Sequence, residues 1–138
     1  MKFVKLVITL CALFYANNSF ADVAIIVHPS NNSTLSNTDL ARLFLGKMKS
    51  FPGGGSATPI NLSEGDAAAD EFNQKVLKKS ASQLKAYWSK LIFTGKGTPP
   101  ESMATAQEVK KAVASNPDYI GYINASDVDD SVKVIARF

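Results

Sequence analysis

Hydrophobic positions along this chain fall into short blocks of two kinds. VAIIVH (residues 23–28) is β-branched and nearly all apolar, which suits a short strand buried on both faces. Pro29 stops it, and the polar SNNST makes a loop. Apolar positions then recur at helical spacing as Leu40, Leu43 and Phe44, with Gly46 as the stop. Ser36 and Asp39 have the spacing of a capping box, and Leu35 and Leu40 that of a hydrophobic staple. SFPGGGSAT (50–58) reads as an exposed glycine-rich turn and PINL (59–62) as a second strand. A second box, Ser63 with Asp66, opens a helix expected over 66–79 that turns Ala69, Phe72, Val76 and Leu77 inward.

The second half continues in the same way. Ser80 with Gln83 opens a third helix whose apolar face is Leu84, Tyr87, Trp88, Leu91 and Ile92. Thr94 to Pro100 is a loop, and Thr105 with Glu108 opens a fourth helix that ends near Asn116-Pro117. YIGYI (119–123) and VKVIARF (132–138) are the last strands, joined by the polar ASDVDDS. The order β-α-β-α-α-α-β-β predicts an α/β fold, a small central β-sheet with helices on both faces.

The first 21 residues stand outside this pattern. Lys2 and Lys5 precede LVITLCALFYA (6–16), shorter than the ~20 apolar residues that span a bilayer. Ser19-Phe20-Ala21 follows, with small residues where a signal peptidase reads. The expectation is a signal peptide over 1–21, cleaved after Ala21, and one domain over 22–138 in the periplasm. Cys11, the chain's single cysteine, leaves with it, so the mature fold relies on its core rather than on disulfides. Loss of Lys2 and Lys5 leaves 13 basic residues against 12 acidic ones, which removes the case for nucleic acid as a partner.

Candidate chemistry is thin. His28 is the chain's one histidine and has no cysteine or second histidine with which to hold a metal. Asp127, Asp129 and Asp130 lack the glycine and final glutamate of a calcium loop and read as a solvated turn. Ser63, Ser80 and Thr105 are accounted for as caps, with no G-x-S-x-G around any of them. Gly53-Gly54-Gly55 is not followed by the Gly-Lys-Ser/Thr of a phosphate loop. The residues offer no acid–base or nucleophile–base pair, so the reading is of a protein that is not an enzyme and has no metal or cofactor.

Four stretches taken together, LARLFLGKMKSFPGGGSATPINL, EGDAAADEF, YWSKLIFTGKGTPP and DYIGYI, resemble the phosphate-binding periplasmic proteins of ABC importers. The chain looks most like their short, single-domain relatives, from about Val23 to Val134. The resemblance implies a type 2 periplasmic-binding fold, of which this chain has the length of one lobe. Larger members place Ser-Gly-Thr at the start of the second helix, where hydroxyls and backbone N–H groups grip phosphate. The matching positions here are Asp66, Ala67 and Ala68, and Asn61 and Ala69 stand where an arginine is expected.

Two functions follow from the resemblance. In the first, the chain binds phosphate or a related small anion weakly, with Ser30, Asn31, Ser63, Glu64, Gly65 and Asp66 near the ligand and Thr94, Lys96 and Tyr122 around them. In the second, the lobe is a ligand-free interaction module that docks on a periplasmic sensor, a membrane transporter or a second copy of itself. An apolar patch left uncovered by the absent lobe would mark that surface, with Phe51 as a candidate.

Overall fold

The computed structural model describes residues 22–138, so the expected signal peptide lies outside the described residues. The apolar run at the start of this segment forms β1 (Val23–Val27), and all five of its residues are buried. With β2 (Thr58–Leu62), β3 (Glu101–Met103), β4 (Tyr119–Asn124) and β5 (Lys133–Arg137) it makes a five-stranded sheet of order β3-β2-β4-β1-β5. β2 runs parallel to β3 and β4, whereas β1 runs antiparallel to β4 and β5. Val23 N–H donates to the carbonyl of Phe138, and Phe138 N–H donates back, so the last residue is tied to the first strand.

The helices are α1 (Asn37–Phe44), α2 (Ala67–Phe72), α3 (Ala81–Phe93) and α4 (Ala106–Ser115). Alternation along β4 sorts them onto the two faces of the sheet. Gly121 points to Val109 and Val113 of α4, and Tyr122 points the other way to Phe44 of α1 and Phe72 of α2. Phe72 stacks on Tyr122 at 3.9 Å, and Phe44 meets Phe72 edge-on at 4.7 Å, which makes an aromatic centre for that layer. The α/β architecture with helices on both faces is the one the apolar pattern predicts.

Four details differ from the sequence reading. α2 is capped by Asp66 rather than Ser63, because Ser63 is drawn to β3, where its N–H and hydroxyl both donate to the Met103 carbonyl at 2.9 and 3.1 Å. The helix expected to 79 stops at Phe72 and continues as one π-helical turn, Asn73–Leu77, ended by Lys78 in the left-handed conformation. Phe51 is buried, not exposed, because the turn through Gly53–Gly55 folds it back and its N–H donates to the Gly55 carbonyl. Finally, α3 buries none of its residues. It stands outside both layers and is held at the end of α1, where Tyr87 donates to the Leu45 carbonyl at 2.8 Å and Trp88 lies against Gly46.

Candidate functional site

The loop that follows β2 and the loop that precedes its parallel neighbour β3 meet α3 along a groove. Its polar end is formed by Asn61, Ser102, Asn73 and the hydroxyl of Tyr122. Leu84, Trp88 and Ile92 of α3, with Pro99 and Pro100, form its apolar side. Lys85 and Ser89 of α3 stand on one rim and Glu64 on another. Lys85 makes no ion pair among the described residues. α3 can wall this groove because its apolar stripe is wide: Leu84 and Tyr87 pack against the core and Trp88 covers Gly46, while Ile92 and Lys85 lie about a third of a turn round.

Tyr122 sits at the floor with its ring in the core. Its hydroxyl accepts from Leu62 N–H at 3.3 Å and donates to Asn61 Oδ1 at 3.3 Å. Burial pushes the phenol well above its ordinary value, and the carboxylates of Asp66 and Asp70 push the same way, against the Leu62 hydrogen bond. At neutral pH the group is therefore a neutral donor and acceptor, beside acids that an incoming dianion would meet.

The turn before α2 has little left to offer a ligand. Asp66 Oδ1 accepts from Ala68 N–H at 2.8 Å, which fills the position that a bound anion would take. Ser63 is committed to Met103, and Gly65 makes the turn with φ near +92°. Of this set, Glu64 lines the groove directly.

The remaining residues read from the sequence lie elsewhere. β1 is antiparallel to β4 and pairs Val27 with Ile120, so the loop after β1 emerges at the end of the sheet opposite Leu62. Ser30 and Asn31 are consequently in a separate shallow depression beside Phe51 and Asp118. There Ser30 is bonded to His28 Nδ1, and the Asn31 carbonyl accepts from Lys133. Thr94 caps the end of α3 by donating to the Lys90 carbonyl at 2.8 Å, and Lys96 is exposed just beyond it. The structure therefore gathers Glu64 and Tyr122 at the groove, keeps Ser63, Gly65 and Asp66 next to it, and separates Ser30, Asn31, Thr94 and Lys96 from it.

Sequence reasoning passed over Lys85, Trp88 and Ser102. Trp88 was assigned to the core by its helical spacing. Ser102 lies in β3, three residues too short and polar to show an alternation.

Outside the groove, the buried Lys110 reaches Asp129 at 2.9 Å. The Ser131 hydroxyl first, and Lys110 second, hold the Asp129 carboxyl well below the usual carboxylate range. This aspartate ties a turn to α4. Among the described residues no cluster of metal-ligating side chains is found.

Comparison with known proteins bears on the fold. No family model matches the chain, and no curated protein matches it. Among solved structures it is similar to a protein described as a phosphate ABC transporter substrate-binding protein, with bound phosphate, from Clostridium perfringens. The TM-score there is 0.64 at 22% identity, over 84% of this chain and 45% of that one. An ABC-type phosphate transport receptor from Vibrio cholerae gives a TM-score of 0.63 at 17% identity, over 84% of this chain and 46% of that one. PstS from Borrelia burgdorferi gives 0.62 at 14% identity, over 85% and 48%. The chain thus has the fold of a lobe-sized portion of these substrate-binding proteins and spans less than half the length of each.

Proposed function

We propose that this chain is an exported, single-lobe binding module of the phosphate-importer type, composed of residues 22–138 once residues 1–21 are removed. In this reading it holds phosphate or a related small anion weakly in the groove beneath α3. The observation that carries the proposal is the groove's position at the carboxyl end of β2, where Leu62 and Glu64 line it, the end of a parallel strand at which open α/β sheets take their ligands. Lys85 supplies the positive charge, and the hydroxyls of Ser89 and Ser102 supply hydrogen bonds.

Affinity is set low by two features. Glu64 and Asp66 stand in the turn before α2, and Asp70 lies in the first turn of the helix. A groove walled by one lobe also leaves the anion partly wet, so its hydrogen bonds compete with water. A membrane transporter is the partner to which such a module would deliver its ligand. Calorimetric titration of the purified protein with phosphate, with sulfate as the control, tests this reading. Phosphate-selective heat between micromolar and millimolar supports it, and no heat at millimolar phosphate rejects it.

A second reading, the interaction module, is favoured by the outer end of α3. Ile92 is 54% exposed and Phe93 93% exposed, and between Phe72 and Glu101 the chain carries six lysines and no acid. A cationic segment ending in a bare phenylalanine fits a partner with an acidic, partly apolar surface: a periplasmic sensor, a transporter or a second copy. Sedimentation at rising protein concentration reads self-association, and a photo-cross-linker at position 93 reads docking on another protein. A monomer that forms no cross-link through that position removes the second reading.

A further inference from the structure

The groove under α3 is larger and more apolar than an inorganic oxyanion needs. Its volume is about 350 Å³. That falls inside the range of roughly 300–1,000 Å³ found for sites that enclose organic molecules. Leu84, Trp88 and Ile92, with the ring carbons of Pro99 and Pro100, give an inorganic ion nothing to bond. Those surfaces are suited to an apolar ring or chain.

Charge narrows the class. The floor at Tyr122 is close enough to Asp66 and Asp70 for both carboxylates to act on its hydroxyl, so an anion seated there would be repelled. The groove's cation, Lys85, lies instead on α3, beside the apolar wall. A ligand that satisfies both halves carries one anionic head for Lys85 and Ser89 and an uncharged body against Trp88 and Ile92.

We infer that the groove takes an organic anion, a phosphate monoester with an apolar body, rather than free inorganic phosphate. This rests on the reading of the groove as an anion site and names its ligand class. Trp88 is the chain's single tryptophan, so its fluorescence reports occupancy of the apolar side directly.

The probes are phenyl phosphate, inorganic phosphate and phenol, each titrated into the purified protein by calorimetry with Trp88 emission followed in parallel. The expected result is phenyl phosphate binding at least about tenfold tighter than either of the others, with a shift in Trp88 emission. Ile92→Ser should remove most of that advantage without weakening phosphate, and Lys85→Ala should weaken phenyl phosphate while leaving phenol unchanged. Both positions are exposed, so the variants keep the fold, which circular dichroism verifies. Equal affinity for phenyl phosphate and phosphate overturns the ligand class and leaves the anion reading intact. Phenol binding as tightly as phenyl phosphate overturns both, as does the absence of binding by all three.

Discussion

The hydroxyl of Tyr122 is where the core and the groove meet. Its ring is sandwiched into the layer formed by Phe72 and Phe44, and its oxygen holds Leu62 N–H at the last residue of β2. Loss of that oxygen leaves a buried backbone donor without a partner. Tyr122→Phe should therefore cost about 1–3 kcal/mol at neutral pH, read by urea unfolding. The pH dependence has a definite sign. Burial first, then Asp66 and Asp70, raise the folded-state phenol above its ordinary value of 10.0. The stability held by the neutral hydroxyl is thus fully present below that pH and is lost as pH rises past it. The difference in stability between wild type and Tyr122→Phe should shrink above pH 10.0. A difference that stays constant from neutral pH into the alkaline range would show that the hydroxyl is not shielded in the way its burial requires.

Packing of α4 on β4 gives the Ile-Gly-Tyr stretch its meaning at the level of elements. A Cβ on Gly121 would lie 2.7 Å from Val109 Cγ1, and valine is too short and stiff to move aside. Gly121→Ala should therefore push α4 off the sheet and cost about 1–3 kcal/mol in a thermal or urea melt; an unchanged midpoint would mean that α4 rides loosely. Gly46 has a similar origin: with φ near +74° it ends α1, and Trp88 of α3 covers its bare Cα. Both glycines belong to stretches that resemble the phosphate-binding proteins, and both are explained here by packing. Helix starts were legible because Ser36, Ser80 and Thr105 bond in the way their side chains dictate locally. β1 and β4 were legible from continuous apolar runs. β3 was not, because its three residues owe their pairing to β2, and neither was the exposed position of α3, whose apolar stripe reads the same whether it faces a core or a groove. The candidate site was half legible for a topological reason: reading Ser30 and Asn31 beside Ser63 needed β1 parallel to β2, and β1 is antiparallel to β4.

Across the whole molecule, stability and charge are divided unevenly in a way that bears on binding. The open sheet ends at β5, which Phe138 ties to Val23 of β1, and α1, α2 and α4 cover its two faces. α3 is attached to this body by one tyrosine hydrogen bond, the Trp88 contact and a few half-buried apolar side chains. Its segment carries the cationic pole, six lysines between Phe72 and Glu101. Of these, Lys75 is bonded to Glu71, and Lys79 lies over the Tyr87 ring. An element with no fully buried residue opens at lower free energy than the sheet it leans on. In hydrogen exchange, amides of 81–93 should therefore lose their protons well before those of 23–27 and 119–124, which await global unfolding. If α3 is the mobile wall of the groove, a ligand that bridges Trp88 and Ser102 must hold it closed, so binding should slow exchange in 81–93 selectively. Exchange of α3 at the rate of the central strands would show a rigid wall, and ligand protection confined to residues 30–33 would place binding at the opposite end of the sheet. Closing of the weakly held α3 over the groove would shield a ligand from water, and selective protection of 81–93 is the sign of that movement.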